Sequence, residues 1–351
     1  MWNKFFGKFS KDLGIDLGTA NTLVYVKGDG IKIDEPSVVA VNIRNGALLA
    51  VGRDAKDMIG KTPPHIVTTR PLVKGIISDF EVTEKMLKHF IGKVHQKNLP
   101  IAPRPTVVIG VPLDLTEVER KAVEDAALGG GAKNVYLVEE VIAAALGARL
   151  PIGESVGSMV VDIGGGNTEI AVISLDGVVK WRSIPIAGDE MNKNIVQYAR
   201  DVLSLVLGEK NAEDIKIKIG SAMELIEKME YPMRGRDLMT GLPRELMVSD
   251  SQIRDSLARS VRQIVENVKI TLEVTPPELA ADIFERGLVL TGGGALLRGL
   301  DKVISQAAEI PVRIADDPLT CVVRGLGLLL ENPTLLKEVS LPSARGTAGP
   351  R

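Results

Sequence analysis

Two stretches of the chain set a carboxylate, glycines and a polar side chain at matched spacing. Residues 159–173 read MVVDIGGGNTEIAVI: an apolar strand ends on Asp162, three glycines turn the chain, and an alternating run from Thr168 leads back out. Residues 13–26 read LGIDLGTANTLVYV. Asp16, Gly18, Asn21, Thr22 and Val26 match Asp162, Gly164, Asn167, Thr168 and Val172 at a constant offset of 146 residues (16 to 162, 26 to 172). A strand–turn–strand hairpin with glycines at its bend turns several backbone N–H groups outward at once, as phosphate-cradling loops do. An Asp at a strand end entering such a turn is a natural outer-sphere ligand for Mg²⁺, which favours carboxylates, water and phosphate oxygens. Turn chemistry alone would explain either Asp singly. As an offset-matched pair flanked by glycines, Asp16 and Asp162 read as metal-site carboxylates.

A third glycine loop, Thr291-Gly292-Gly293-Gly294-Ala295, follows the apolar strand 287–290 and is expected to open a helix. Its backbone could approach a ligand closely. Three such loops, each at the C-terminal end of a strand, fit a nucleotide held in a cleft between two α/β halves. The Walker-A spacing G-x-x-x-x-G-K-[ST] is absent, so the chain is not a P-loop protein. Two other groupings could act. Glu139-Glu140 start the small-residue helix VIAAALGA. Acids there can simply complement the helix dipole, but a pair at the end of a buried strand beside a phosphate site also suits catalysis. Glu213 and Lys216 lie one turn apart on a short helix over 212–219, as a surface ion pair or as a clamp on a ribose and base.

The elements that must position these groups are legible in outline. Thr106–Val111 and Val135–Val138 are continuous apolar strands of the buried, parallel kind. Thr116 with Glu119 makes a capping box for a helix that stops at Gly129-Gly130-Gly131. Strand, helix, strand, helix in this order means an α/β layer fold with a mostly parallel sheet, and self-similarity at a fixed offset means two related halves. Further helices are expected over 78–95, over about 190–207, and from Asp250 for more than twenty residues until Pro276-Pro277 ends it. Residues 220–249 read as irregular and polar. They suggest a small insertion, and the turn spacing after the first hairpin suggests another of about 40 residues on the first half.

At 351 residues two domains are the default expectation. Apolar residues at 45% and charged residues at 25% are ordinary for a soluble chain, and a net charge of −2 offers no basic face for nucleic acid. The single cysteine, Cys321, cannot form an internal disulfide, which fits a reducing compartment, and it reads as a small buried residue. No run approaches the roughly 20 apolar residues that span a bilayer. Lys4, Lys8 and Lys11 interrupt any signal-peptide core, so a cytoplasmic protein is expected.

Trp2, Phe5, Phe6 and Phe9 fall at i, i+3, i+4 and i+7, with Lys4, Lys8 and Lys11 mostly opposite. That pattern describes a helix over residues 1–12 lying in the interface of an anionic membrane, although docking on the protein's own core would also use the aromatics. Leu99-Pro100-Ile101 stand in a Pro-rich loop and are either a second membrane contact or loop packing.

The pieces DLGTANT, VEE followed by AAALGA, DIGGGNTE, AGDEM, LTGGGALLRGL and TPPEL together resemble the actin, sugar-kinase and heat-shock chaperone superfamily. Within it they are most similar to the MreB family, the bacterial actins of rod-shaped cells, over about residues 10 to 335. The resemblance implies an actin-like fold: two duplicated RNase H-like α/β domains, with a nucleotide cleft between them and a small inserted subdomain on each. Domain I would span 13–150 plus 325–340 with its insertion at about 33–72, domain II 151–324 with its insertion at about 188–249, and 341–351 would be a disordered tail. It implies ATP or ADP with Mg²⁺. Gly18, Thr19, Ala20 and Asn21, with Gly164, Gly165, Gly166 and Asn167, would lie on the phosphates. Gly188 and Asp189 belong to the same site. Glu213 and Lys216 would hold the ribose and adenine, and Gly292, Gly293, Gly294 and Ala295 would lie under the nucleotide. Glu140 would orient the attacking water.

Two departures bear on hydrolysis. The family usually has Pro after the catalytic glutamate, where this chain has Val141, which loosens the preset helix start. The second loop usually reads GGGTTE, and here Asn167 replaces the first Thr, so hydrolysis is expected to persist at an altered rate. As partners the resemblance implies further copies of the chain in filaments, the inner membrane face, and membrane and cell-wall elongation proteins. The alternative is a small-molecule kinase of the same superfamily, but no Asp or His compels a substrate base, and His65, His89 and His95 lie in the insertion and on a surface helix. Deleting residues 2–9 should abolish co-sedimentation with anionic liposomes, and pelleting that survives the deletion would refute the amphipathic-helix reading.

Overall fold

A computed structural model describes residues 11–95 and 104–343. They fall into two units: the described residues up to Ser155, with Ser174–Val178 and those from Leu319 onward, in one, and Val156–Ile173 and Val179–Pro318 in the other.

In the first unit the hairpin is Leu13–Leu17 (β1) and Asn21–Val26 (β2), antiparallel, with Leu17 opposite Thr22 and Asp16 opposite Leu23. Gly30–Pro36 (β3) continues the meander on β2. Val39–Asn42 (β4), Ala47–Val51 (β5) and Ile66–Thr69 (β6) form a separate three-stranded sheet in the order β5-β4-β6. Leu72–Val73 (β7) and Ile76–Ile77 (β8) make a small hairpin. Thr106–Val111 (β9) and Asn134–Glu139 (β10) then add in parallel, giving the order β10-β9-β1-β2-β3. Its helices are Arg53–Asp57 (α1), Phe80–His95 (α2), Glu117–Gly129 (α3) and Glu140–Gly147 (α4). The capping box of Thr116 and Glu119 is formed at the start of α3.

The second unit repeats this plan. Ser158–Ile163 (β11) and Thr168–Ser174 (β12) pair antiparallel with Ile163 opposite Thr168, the register of the first hairpin. Gly177–Ile184 (β13) flanks them. Leu288–Thr291 and Val312–Ile314 run parallel on the other side of β11. The helices Gly188–Asp201 (α5), Glu209–Ile219 (α6), Asp250–Glu273 (α7), Pro277–Arg286 (α8) and Leu300–Ala308 (α9) cover a core that includes Met159, Val161, Ile195, Ile215, Leu257 and Leu290. Three more strands, Leu205–Leu207 (β14), Glu230–Asp237 (β15) and Pro243–Ser249 (β16), form a sheet between α5 and α7 in sequence. Leu288–Thr291 is β17 and Val312–Ile314 is β18.

Four expectations are corrected. The helix placed over 190–207 ends at Asp201, because Ser204 adopts a left-handed φ of 53° and buried Leu205 and Leu207 then alternate with exposed Val206 as a strand. Residues 220–249 are not irregular. Scattered methionines obscure the alternation of β15 and β16, whose turn is built by Asp237 accepting from the amides of Met239 and Thr240, both at 2.9 Å. Residues 33–36 belong to the main sheet as the end of β3, so the separate sheet starts only at Val39. Leu341, expected in a loose tail, donates its N–H to Leu137 at 2.9 Å beside the Val138–Ser340 bridge and so covers the free edge of β10.

Two further helices return to the first unit, Cys321–Glu331 (α10) and Pro333–Val339 (α11). Helix α10 crosses α4 at backbone contact. A Cβ on Gly147 would lie 1.9 Å from the Cys321 carbonyl oxygen, and one on Gly325 would lie 1.9 Å from that of Ala143. This contact fixes α4, whose first residue is Glu140. Overfilling a packed core costs about 1–3 kcal/mol, so Gly325→Val should lower the thermal midpoint by roughly 2–12 °C, given about 2–4 °C per kcal/mol. An unchanged midpoint in differential scanning calorimetry would show that the helices can part without cost.

Candidate functional site

In the first unit Asp16 lies on β1 directly beside Gly110 of β9, and Glu139 ends β10 beside Val111. Glu139 keeps extended backbone (φ −60°, ψ 130°), and Glu140 begins α4 as a buried residue. The position a Cβ would take on Gly110 lies 3.3 Å from Cγ of Glu140 and 3.2 Å from Cγ1 of Val322. The missing side chain therefore gives Glu140 its place over the strand that neighbours Asp16. Burial pushes the Glu139 carboxyl above its usual range, with Arg120 opposing.

The turn between β1 and β2 is braced from outside the hairpin. Ser37 donates its N–H to Ala20 (2.9 Å) and its hydroxyl to Gly18 (2.6 Å), and its Oγ lies 2.8 Å from that of Thr22. The Thr19 hydroxyl accepts from the Gly75 amide at 2.8 Å. Loop residues Gly18, Thr19, Ala20 and Asn21 are thereby held to two later segments of the same unit.

In the second unit Asp162 is buried beside Thr291, whose hydroxyl donates to its Oδ1 at 2.7 Å. Burial pushes the Asp162 carboxyl above its ordinary value, and the Thr291 hydrogen bond pulls the other way. The glycine turn closes when Gly164 donates to the Asn167 carbonyl (3.0 Å). Its outer side is bound by the segment before α5: Gly188 donates to Gly164 (3.2 Å), Asp189 donates to Gly165 (2.8 Å), and the Thr168 hydroxyl donates to Ile186 (2.6 Å). Lys216 reaches the same segment, donating from Nζ to the Gly188 carbonyl at 2.9 Å. Glu213 lies one turn earlier on α6, half-buried like Lys216.

The third glycine loop packs on the end of β11. Gly292 has φ 76°, and a Cβ there would lie 2.4 Å from the Ile163 carbonyl oxygen; one on Gly294 would lie 2.1 Å from Cγ2 of Ile163. The loop was expected to open an α-helix but forms a single 3₁₀ turn, Gly293–Leu296, with Ala295 buried. Gly299, in the left-handed region, caps the α-helix that starts at Leu300.

Each unit thus assembles its own set. Asp16, Gly18–Asn21 and Glu140 gather in the first, and Asp162, Gly164–Asn167, Gly188, Asp189, Lys216 and Gly292–Ala295 in the second. Trp2, Phe5, Phe6, Phe9, Leu99 and Ile101 lie outside the described residues. Sequence reasoning passed over Thr291, Ser37, Gly75 and Gly110. Only Thr291 carried a local signal, as a hydroxyl at a strand end before glycines.

Two observations bear on a phosphate ligand and a metal. Nδ2 of Asn167 is a buried donor with no partner among the described residues, at the turn that precedes β12. An orphaned donor at a glycine turn suits a phosphate oxygen. Among the described residues no three His, Cys, Asp or Glu side chains gather as a metal cage. Asp16 and Asp162 could therefore act on Mg²⁺ singly, with water and phosphate completing its shell.

Comparison with known proteins gives consistent matches. The MreB/Mbl protein family matches residues 10–338. The cell shape-determining protein MreB of Escherichia coli (strain K12) is 52% identical over 335 residues, 94% of this chain and 96% of that protein. The cell shape-determining protein Mbl of Bacillus subtilis (strain 168) is 49% identical over 333 residues, 95% and 99% of the two chains. The crystal structure of MreB5 of Spiroplasma citri bound to ADP matches with a TM-score of 0.88 at 38% identity, covering 94% of this chain and 98% of that one. The same protein has been solved bound to AMPPNP.

The raised pKa of Asp162 makes stability depend on pH. Between the ordinary carboxyl value of 3.8 and its folded value the native state binds the extra proton, so stability falls as pH rises through that window and stays lower above it. Asp162→Asn keeps an acceptor for Thr291 and removes the buried charge. The ligand-free variant should melt above the parent at pH 7, with the gap closing toward pH 4; a gap that does not vary with pH would refute the assignment.

Proposed function

The chain belongs to the MreB/Mbl protein family and has the actin-like fold, and we propose that it is an ATP-driven filament protein that determines cell shape. The observation that carries the nucleotide reading is the unpartnered Nδ2 of Asn167, at a glycine turn flanked by buried Asp162 and by Gly188-Asp189. The relatives named above are shape-determining proteins, and the sugar-kinase alternative is set aside on that ground.

ATP with Mg²⁺ supplies the phosphoanhydride to be cleaved and the cation that neutralises its charge. The backbone N–H groups of Gly18–Asn21 and Gly164–Asn167 bind the phosphate oxygens, and the Asn167 side chain donates to one of them. Asp16 and Asp162 would each hold the metal through its water shell. Thr291 holds the Asp162 carboxylate in one direction while it does so. Glu213 and Lys216 recognise ribose and base, and Gly292–Ala295 close the site beneath. Glu140 accepts a hydrogen bond from the attacking water and aligns it for in-line displacement. Val141 and Asn167 shift the rate without abolishing hydrolysis.

Self-association into filaments follows from the family, with hydrolysis weakening the subunit contact. The aromatic face of residues 1–12, aided by Leu99 and Ile101, lays the polymer on the cytoplasmic face of the inner membrane. One short helix suffices because a polymer presents many copies at once. There the filament meets membrane and cell-wall elongation proteins and directs wall synthesis.

Sedimentation with ATP and Mg²⁺, with and without anionic liposomes, tests the assembly, and monomers under every condition would overturn it. Removing a group that stabilises the transition state costs on the order of 10²-fold in rate, so Glu140→Gln should lower phosphate release about that much while ADP still binds. Asn167→Thr should alter phosphate release; an equal rate would count against a role for Asn167.

A further inference from the structure

A cavity of about 450 Å³ opens in the first unit between β5 and α2. Leu49, Ala50 and Val51 of β5 form one wall, and Lys88, His89, Gly92 and Lys93 of α2 form the other. Two ties hold α2 beside this cavity, one to the turn before β5 and one to β3. Lys85 donates to the Gly46 carbonyl at 3.0 Å, and Lys93 pairs with Glu35 at 3.1 Å. They are eight residues apart on one helix, about 12 Å at 1.5 Å per residue.

The charges in this cavity are not balanced. Glu35 is engaged by Lys93 and by the Arg53 amide at 2.9 Å. The Arg53 charge also acts on Glu35, so Arg53, Lys88 and Lys93 together face two lining carboxylates, Glu35 and Asp54, which leaves one positive charge in excess. Gly92 is the second observation. Glycine inside a helix costs about 1 kcal/mol relative to alanine, and here a Cβ would meet no atom within 4 Å. Packing therefore does not require glycine at 92. Its effect is to keep the cavity wall open.

We propose that this cavity binds a small organic anion, a phosphate or carboxylate group on an apolar body. Arg53 and Lys88 take the acidic group, for which guanidinium geometry is well matched, and Leu49 and Val51 take the apolar part. The size lies within the range of small-molecule pockets. A bound anion would brace the β4–β5 sheet against α2, acting on the inserted sheet.

The test is isothermal titration calorimetry of the full chain held in saturating AMPPNP. Phenyl phosphate and benzoate are the probes, inorganic phosphate tests the acidic group alone, and benzyl alcohol is the uncharged control. One of the two aromatic anions should bind at least tenfold more tightly than benzyl alcohol and than inorganic phosphate, and the stronger one identifies the preferred group. Gly92→Leu, which fills the cavity, and Arg53→Ala with Lys88→Ala should each weaken it at least tenfold. Circular dichroism melts confirm that both variants are folded. Failure of both aromatic anions to bind at millimolar concentration, or undiminished binding to folded Gly92→Leu, would overturn the proposal. The same titration without AMPPNP separates the two sites, because a probe displaced only by nucleotide belongs to the glycine turns.

Discussion

How closely a third segment can approach the end of β11 governs what the second unit can hold. Gly292 and Gly294 meet Ile163 at distances no side chain would permit, and Gly292 does so with a left-handed φ. That approach sets Thr291 beside Asp162, where its hydroxyl satisfies one oxygen of a carboxylate taken out of water. An added methyl at either glycine would push the loop outward and leave a desolvated acid with one partner fewer, a costly state in a low-dielectric interior. Glycine's entropic penalty is accepted because the alternative is worse.

The first unit meets its own positioning problem with a helix. Glu140 owes its location to α4, and α4 owes its own to the backbone contact with α10 across Gly147 and Gly325. The turn between β1 and β2 is restrained by Ser37 and Gly75, residues from segments that follow the hairpin. In both units the glycine turn is shaped by its own hairpin and then held from behind. Loops that face a ligand need such external support, because their own backbone groups must stay available for it.

Much of this was legible from sequence wherever the signal was local or repeated. The hairpins could be read because two copies share one spacing, and the capping box of Thr116 and Glu119 because three residues suffice to specify it. Strand β14 was hidden, since its three residues continue the apolar pattern of the preceding helix and only the backbone break at Ser204 separates the two. The β15–β16 ribbon was hidden because most of its side chains are solvated, so burial imposes no alternation on them. The Thr291–Asp162 hydrogen bond spans 129 positions, and no local pattern announces a parallel pairing of that reach.

The two hairpins share a register, yet the strand beside them differs at one equivalent position. Asp16 has Gly110 for a neighbour, and Asp162 has Thr291. A hydroxyl at that position immobilises the acid it touches, while a bare α-carbon vacates room that Glu140 enters. Duplication supplied two identical frames, and divergence at a single rung made one an anchor and the other a host. The halves of this protein are no longer interchangeable, although their hairpins keep one register.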